Sequence, residues 1–302
     1  MLPATHVRQQ PTDEVPEGRV GLTRTVEFEG VGLHSGAAVR LRVGPGRVGC
    51  GYQINGRAVE TLVRAEVPLC SAVDTATGRV LTTEHLLAAL YGLAVDDVEI
   101  TVFGGEVPAL DGSAAPFVKA LVDVMSSPMS SPMSRSDLTY WRRPIRVDTA
   151  FRIEEGEAFI EVSRKTSPSP GLRLEVSTDF PGIGTGRFEA ELSQDADAVR
   201  AFVEELAPAR TFGFFRDEAR LRAAGLARGV TLDNCLIFGD DGRAQSPLRF
   251  ADEVTRHKAL DLLGDLALLG RPLNARVVAH RAGHALHRRV VTALARLGAR
   301  GC

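Results

Sequence analysis

Two hydrophobic periods take turns along the chain. Thr23 to Phe28 and Ala38 to Val43 place apolar side chains at every second position, the mark of strands with one buried face. Shorter stretches of the same kind follow at Tyr52 to Ile54, Val59 to Val63 and Val98 to Phe103. At Thr82 the period changes. TTEHLLAALYG reads as a Leu- and Ala-rich helix, opened by a Thr N-cap and closed by Gly92, and apolar enough to be largely buried. Glu84 and His85 then fall in the first turn of a core helix, where an unpaired charge is costly. They need partners or a task; otherwise Glu84 only favours the helix dipole and His85 is a satisfied core histidine. Ser113 can cap a second helix, Ala114 to Val124, with Pro116 in the permissive first turn.

The same order returns in the second half. Strands at Ile145 to Val147, Ala158 to Val162, Leu172 to Ser177 and Phe188 to Leu192 precede an amphipathic helix, Asp197 to Leu206. Ala209 to Phe215 is a loop dense in aromatics, suited to an apolar binding wall or to core packing. A short charged helix, Arg216 to Ala224, and a buried strand around Leu232 to Phe238 come next. A helix from Phe250 to Leu269, a strand at Ala275 to Ala279 and a last helix ending near Leu297 complete the chain. Between the halves lies SSPMSSPMSRS, whose repeated Ser, Pro and Met cannot pack regularly and which reads as a linker. The expected organisation is α+β, with two similar two-layer β/α domains. Residues 1–19 form a disordered tail, 20–125 the first domain, 126–137 the linker and 138–302 the second domain.

Composition narrows the functional classes. A formal net charge of -2 over 302 residues argues against a broad nucleic-acid surface. Cys50, Cys70, Cys235 and Cys302 have no paired spacing, which fits reduced thiols in a cytoplasm. The first residues lack the apolar run of a secretory signal, and no run is long enough to span a bilayer. Dinucleotide, nucleotide-triphosphate, serine-hydrolase and H-E-x-x-H motifs are absent. What remains is a set of polar residues on apolar elements: Glu84, His85, His257, Lys258, Asp261, Asp265 and His284. His257, Asp261 and Asp265 recur every four residues and share one helix face. An imidazole and a carboxylate one turn apart can reach a single metal ion; the same face can equally be solvated or satisfied by neighbours. His34, in the turn GVGLHSG, reads as a structural hydrogen-bonder.

The chain resembles the zinc-dependent UDP-3-O-acyl-N-acetylglucosamine deacetylases of lipid A biosynthesis. The resemblance runs through GVGLHSG (30–36), TTEHLLAALYGL (82–93), GGEVPALDGSAAPFV (104–118), ARTFGFFRD (209–217), GLARGVTLDNCLIF (225–238), FADEVTRHKALDLLGDL (250–266) and AGHAL (282–286). It implies two domains packed face to face with the active site between them. It assigns His85, His257 and Asp261 to the metal, Glu84 to the general base, and His284 to the general acid or electrostatic partner. Asp265 orients His284, the Thr211 hydroxyl faces the reacting carbonyl, and Lys258, Phe212 and Cys70 contact substrate. The implied cofactor is Zn2+, or Fe2+ in its place, and the implied enzyme is a cytoplasmic monomer acting on a UDP-linked acylated glucosamine. An acyl channel would be built from the segment 180–226, with Ile183, Phe212, Phe214 and Phe215. A related amidohydrolase acting on another acylated amino sugar, or a non-catalytic homologue, would carry much of the same pattern.

Overall fold

The computed structural model describes residues 6–8, 20–126, 144–167 and 170–300. In the first half the strands are β1 (His6–Arg8), β2 (Thr25–Val31), β3 (Ala38–Pro45), β4 (Tyr52–Ile54), β5 (Arg57–Ala58), β6 (Val63–Ala65), β7 (Ala72–Thr75) and β8 (Gly78–Leu81). Helix α1 (Glu84–Gly92), strand β9 (Val98–Phe103) and helix α2 (Ala115–Val122) complete it. The main sheet runs β1-β2-β3-β9-β4-β5, and β6-β7-β8 form a separate antiparallel ribbon. Alternation decides which face is buried: Val39, Leu41 and Val43 of β3 point inward, as do Val98, Ile100 and Val102 of β9. Phe28 of β2 meets Phe117 of α2 edge-on at 5.1 Å, fixing that helix to the sheet.

The second half contributes β10 (Ile145–Arg146), β11 (Phe151–Glu155), β12 (Ala158–Ser163), β13 (Leu172–Phe180), β14 (Gly184–Leu192) and α3 (Ala196–Ala201). Then come β15 (Phe212–Phe214), α4 (Glu218–Ala223), β16 (Leu236–Phe238), α5 (Glu253–Ala267), β17 (Leu273–His280) and α6 (His284–Arg300). The sheet order is β11-β12-β17-β13-β14, with β10 pairing beside β12 on β17. Helices α5 and α6 lie on this sheet, while β15 and β16 form a small parallel pair apart from it. The α+β class with layered sheets and helices is the one expected.

Helix α5 is buried on almost every side, as an element between layers must be. Its closest partner is α1. A Cβ at Gly264 would collide with the Glu84 carbonyl oxygen, so the two backbones meet where only glycine fits. The hydrophobic core runs without a break through both halves across this contact.

Several local expectations are corrected. Val59–Thr61 is a single 3-10 turn, and the strand begins only at Val63. Thr83 occupies the N-cap of α1 without a side-chain bond, its backbone being helical at φ -81° and ψ -17° rather than extended as a capping residue requires. Gly92 does not stop α1 through a left-handed turn; a Cβ there would strike the Phe202 ring. The aromatic loop contains a strand, β15, because it pairs in register with β16. The strand expected around Leu232 narrows to Leu236–Phe238, with Leu232 in a turn and exposed. The expected tail at 1–19 lies outside the described residues except at His6–Arg8, which are paired rather than frayed: the free edge of β2 gives them backbone partners. Of the expected linker, only Ser126 is described, and it returns a hydrogen bond to Gly21.

Candidate active site

The site grows from the abutment of α1 and α5. Glu84 and His85 open α1, and the Gly264 contact sets them against the α5 face that carries His257, Asp261 and Asp265. All five residues are buried, none more than 4% exposed. His257 Nε2 stands 3.2 Å and His85 Nε2 3.6 Å from Asp261 Oδ1. Ligand atoms about 2.0–2.2 Å from a tetrahedral zinc lie roughly 3.3–3.6 Å apart, so the three donors fit one such ion. His257 Nδ1 faces the Ala209 carbonyl at 3.1 Å, which orients Nε2 toward the cluster. Lys258 Nζ donates to Asp261 Oδ2 at 2.8 Å. Asp261 is held well below the usual carboxylate range, since His257, Lys258 and His284 outweigh its burial. Burial pushes the His257 imidazole down to about 4, the neutral form a metal ligand requires.

Two further titratable groups, Glu84 and His284, flank this cluster. His284, at the start of α6, points Nε2 at Glu84 Oε1 and at Asp261 Oδ2, each 3.7 Å away. Its Nδ1 donates to Asp265 Oδ2 at 2.7 Å. Burial alone would lower the His284 pKa, but Asp265 and Asp261 raise it to about 9. Glu84 is also raised, but by a different cause: burial lifts it to about 7 despite His284 and His85. Two groups whose environments push their titrations into this order can divide base and acid roles at neutral pH.

Residues the sequence reading passed over hold the pair in place. His287, one turn beyond His284, donates through Nδ1 to the same Asp265 Oδ2 at 2.7 Å. Its i,i+3 spacing from His284 was the available signal. Ser71, carried in by the ribbon, contacts Glu84, Asp265 and His284; nothing in its local sequence marks it. Glu106 is fully buried and accepts from the backbone N–H of His34 at 2.8 Å, that of Ser35 at 2.9 Å and the Thr82 hydroxyl at 2.9 Å. It thereby ties the GVGLHSG turn to the entry of α1. His34 itself is buried, with an unpartnered Nδ1. Leu69, Thr82 and Arg281, all near these residues in sequence, take positive φ at 68°, 58° and 52°. Such strain costs roughly 1–3 kcal/mol per residue and gathers where geometry matters more than stability.

The remaining expected residues surround the cluster. Thr211 lies between Ala209, whose carbonyl faces His257, and Phe212, whose ring meets the His257 ring edge-on at 6.2 Å. Its backbone is pinned from both halves, with its N–H on the Gly112 carbonyl and its own carbonyl accepting from Leu236. The buried Arg210–Glu253 pair supports this loop. Phe212 also opens an apolar cluster with Phe180, Ile183, Phe214 and Phe238, apart from the main core. Phe215 lies outside that cluster and is 57% exposed. Cys70 is fully buried, and burial together with Glu84 pushes its thiol far up.

A candidate metal centre with an acid–base pair, set at the seam of a layered α+β fold, defines a class: the metallohydrolases. Within it, the chain belongs to the UDP-3-O-acyl N-acetylglycosamine deacetylase (LpxC) family, whose profile matches residues 19–296. The UDP-3-O-acyl-N-acetylglucosamine deacetylase of Thermosynechococcus vestitus is 39% identical over 293 residues, covering 94% of this chain and 96% of that protein. The enzyme of the same name from Brucella melitensis biotype 2 is 37% identical over 283 residues, covering 90% and 93%.

Proposed function

We propose that this chain hydrolyses the N-acetyl group of a UDP-3-O-(3-hydroxyacyl)-N-acetylglucosamine to the free amine and acetate, the committed step of lipid A biosynthesis. The observation that carries the reading is the convergence of His85 from α1 with His257 and Asp261 from α5 within reach of one ion, beside Glu84 and His284. Those three residues would hold Zn2+, or Fe2+ in its place; the ion would polarise the amide carbonyl and acidify a water.

The chain's own groups do the rest. Glu84 takes the water's proton as the water attacks, then returns it to the leaving nitrogen. The protonated His284 ring and the Thr211 hydroxyl supply hydrogen bonds to the oxygen that gains charge. Asp265 keeps that ring charged and oriented. Lys258 is the cation available to the diphosphate, and its present partner Asp261 sets what it must share. The apolar cluster around Phe212 suits the acyl chain, since each methylene buried contributes about 0.8 kcal/mol. Cys70, being fully buried, would act only as part of the pocket floor.

Two domains, 20–125 and 138–302, belong to the same reading, supported by the two separate six-stranded sheets, one in each half. A cytoplasmic monomer does too: Cys50, Cys70 and Cys235 are free thiols. Among the described residues, no helix is long and apolar enough to cross a membrane. The deciding assay follows acetate release from the UDP-linked acylated glucosamine and from simple N-acetyl sugars, after chelation and again after zinc add-back. Loss and recovery of turnover on the nucleotide-linked substrate alone is expected. Equal turnover on simple sugars would favour the broader amidohydrolase, and an inert, metal-free protein the non-catalytic homologue.

A further inference from the structure

Ser71 lies in the turn that enters β7 and is 2% exposed. Its backbone N–H donates to Glu84 Oε2 at 3.1 Å. Its hydroxyl donates to Asp265 Oδ1 in a short contact, and the same oxygen stands 3.3 Å from His284 Nδ1. Glu84 belongs to α1, Asp265 to α5 and His284 to α6, so one small residue of the ribbon touches a group from each of three helices. Asp265, as a carboxylate, can only accept. One of its oxygens receives Ser71, and the other receives His284 and His287, each at 2.7 Å.

We propose that Ser71 is a positioning residue, fixing the Glu84 carboxylate and the His284 imidazole in one mutual geometry through Asp265. The inference rests on the acid–base reading above. Removing the hydroxyl strips Asp265 Oδ1 of this donor at a residue only 1% exposed, and the carboxylate is then free to turn toward other donors. His284 follows, because its Nδ1 is bound to that carboxylate, and the movement reaches Nε2, which faces Glu84 Oε1 at 3.7 Å. Glu84 keeps the backbone N–H of Ser71 in any variant, so the expected defect is one of alignment between two groups that both remain in place. A misplacement of about 1 Å at a reacting centre costs on the order of 100-fold in rate.

The test uses the full chain, metal-loaded, with Ser71→Ala, Ser71→Val and Ser71→Thr. Val and Thr have the same shape and differ by the hydroxyl, so their comparison holds even if the alanine variant folds poorly. Val should lower kcat about 10- to 100-fold with KM within about twofold and metal content unchanged, and Thr should restore most of kcat. A second readout needs no turnover: the proton NMR signals of the His284 and His287 Nδ1–H groups, identified by loss in His284→Gln and His287→Gln. These should shift in the Val variant and return in Thr. Equal kcat for Val and Thr, a loss carried by KM, or unmoved imidazole signals would each overturn the proposal. Were the NMR pattern to appear in a chain without deacetylase activity, the functional reading would fall and the Ser71 linkage would stand.

Discussion

Glu84 and His284 face each other at 3.7 Å, and the order of their titrations, Glu84 below His284, sets the working pH of the proposed mechanism. In the proposed mechanism the base must be unprotonated and the imidazole protonated, so kcat should rise as Glu84 deprotonates and fall as His284 deprotonates. The basic limb should lie near pH 9. The acidic limb lies near pH 7 for the chain alone and lower with a dication beside the carboxylate, which favours its charged form. His284→Gln should abolish the basic limb, and a pH–rate profile that keeps it would assign that limb elsewhere. Glu84→Gln and His284→Gln should each cost roughly 100- to 1,000-fold in kcat while metal content stays intact. Asp261→Ala should instead lose the metal, as measured by elemental analysis of the purified protein. The contrast separates acid–base groups from ligands, which the sequence motif alone does not do.

At the scale of elements, the contact between α1 and α5 and the anchoring of the 207–215 loop decide the geometry. Gly264→Ala places a methyl group against the Glu84 carbonyl, so the helices must separate. Overpacking of this kind costs about 1–3 kcal/mol, and here it also pulls Glu84 and His85 away from His257 and Asp261. Activity should therefore fall further than the melting temperature suggests; a variant that loses stability but keeps full kcat would show that the site tolerates the shift. Glu253 is fully buried and accepts from the Arg210 backbone and guanidinium and from the Arg249 N–H. Glu253→Ala leaves Arg210 without its counter-charge and should cost about 3–5 kcal/mol in denaturant unfolding. Between β13 and β17, the bonds from Arg276 hold Glu175 down at about 2 against its burial, helped by Arg173. A depressed carboxylate stabilises fully above its unfolded value of 4.5 and loses that contribution as pH falls toward 2. The gap in melting temperature between wild type and Glu175→Gln should accordingly shrink from pH 6 to pH 3.

For the whole molecule, the halves are joined by more than the helix pair. Arg249 reaches Asp111 and the Pro208 carbonyl, and Thr211 hangs from Gly112, so the LDGS turn of one half positions the loop of the other. Because the proposed ligands His85, His257 and Asp261 come from both halves, zinc binding should raise the thermal transition and chelation should lower it. A transition insensitive to metal would place the ion elsewhere. Much of this architecture was legible in the chain. Alternation in β3, β9 and β17 and the apolar runs of α1 and α5 fix their periods, because burial of one face or all faces is written in residue type. The helical spacing of His257 and Asp261 likewise puts them on one face whatever surrounds them. The tertiary structure alone decided the partners. Whether that face met water, neighbours or a metal depended on Gly264 letting α1 come close, and a glycine's neighbour is not encoded beside it. Ser71 and Glu106 became visible only when distant segments met. A hydrogen bond across more than 70 or 190 residues leaves no period in the sequence, only the buried polar atoms that must be satisfied once the chain has folded.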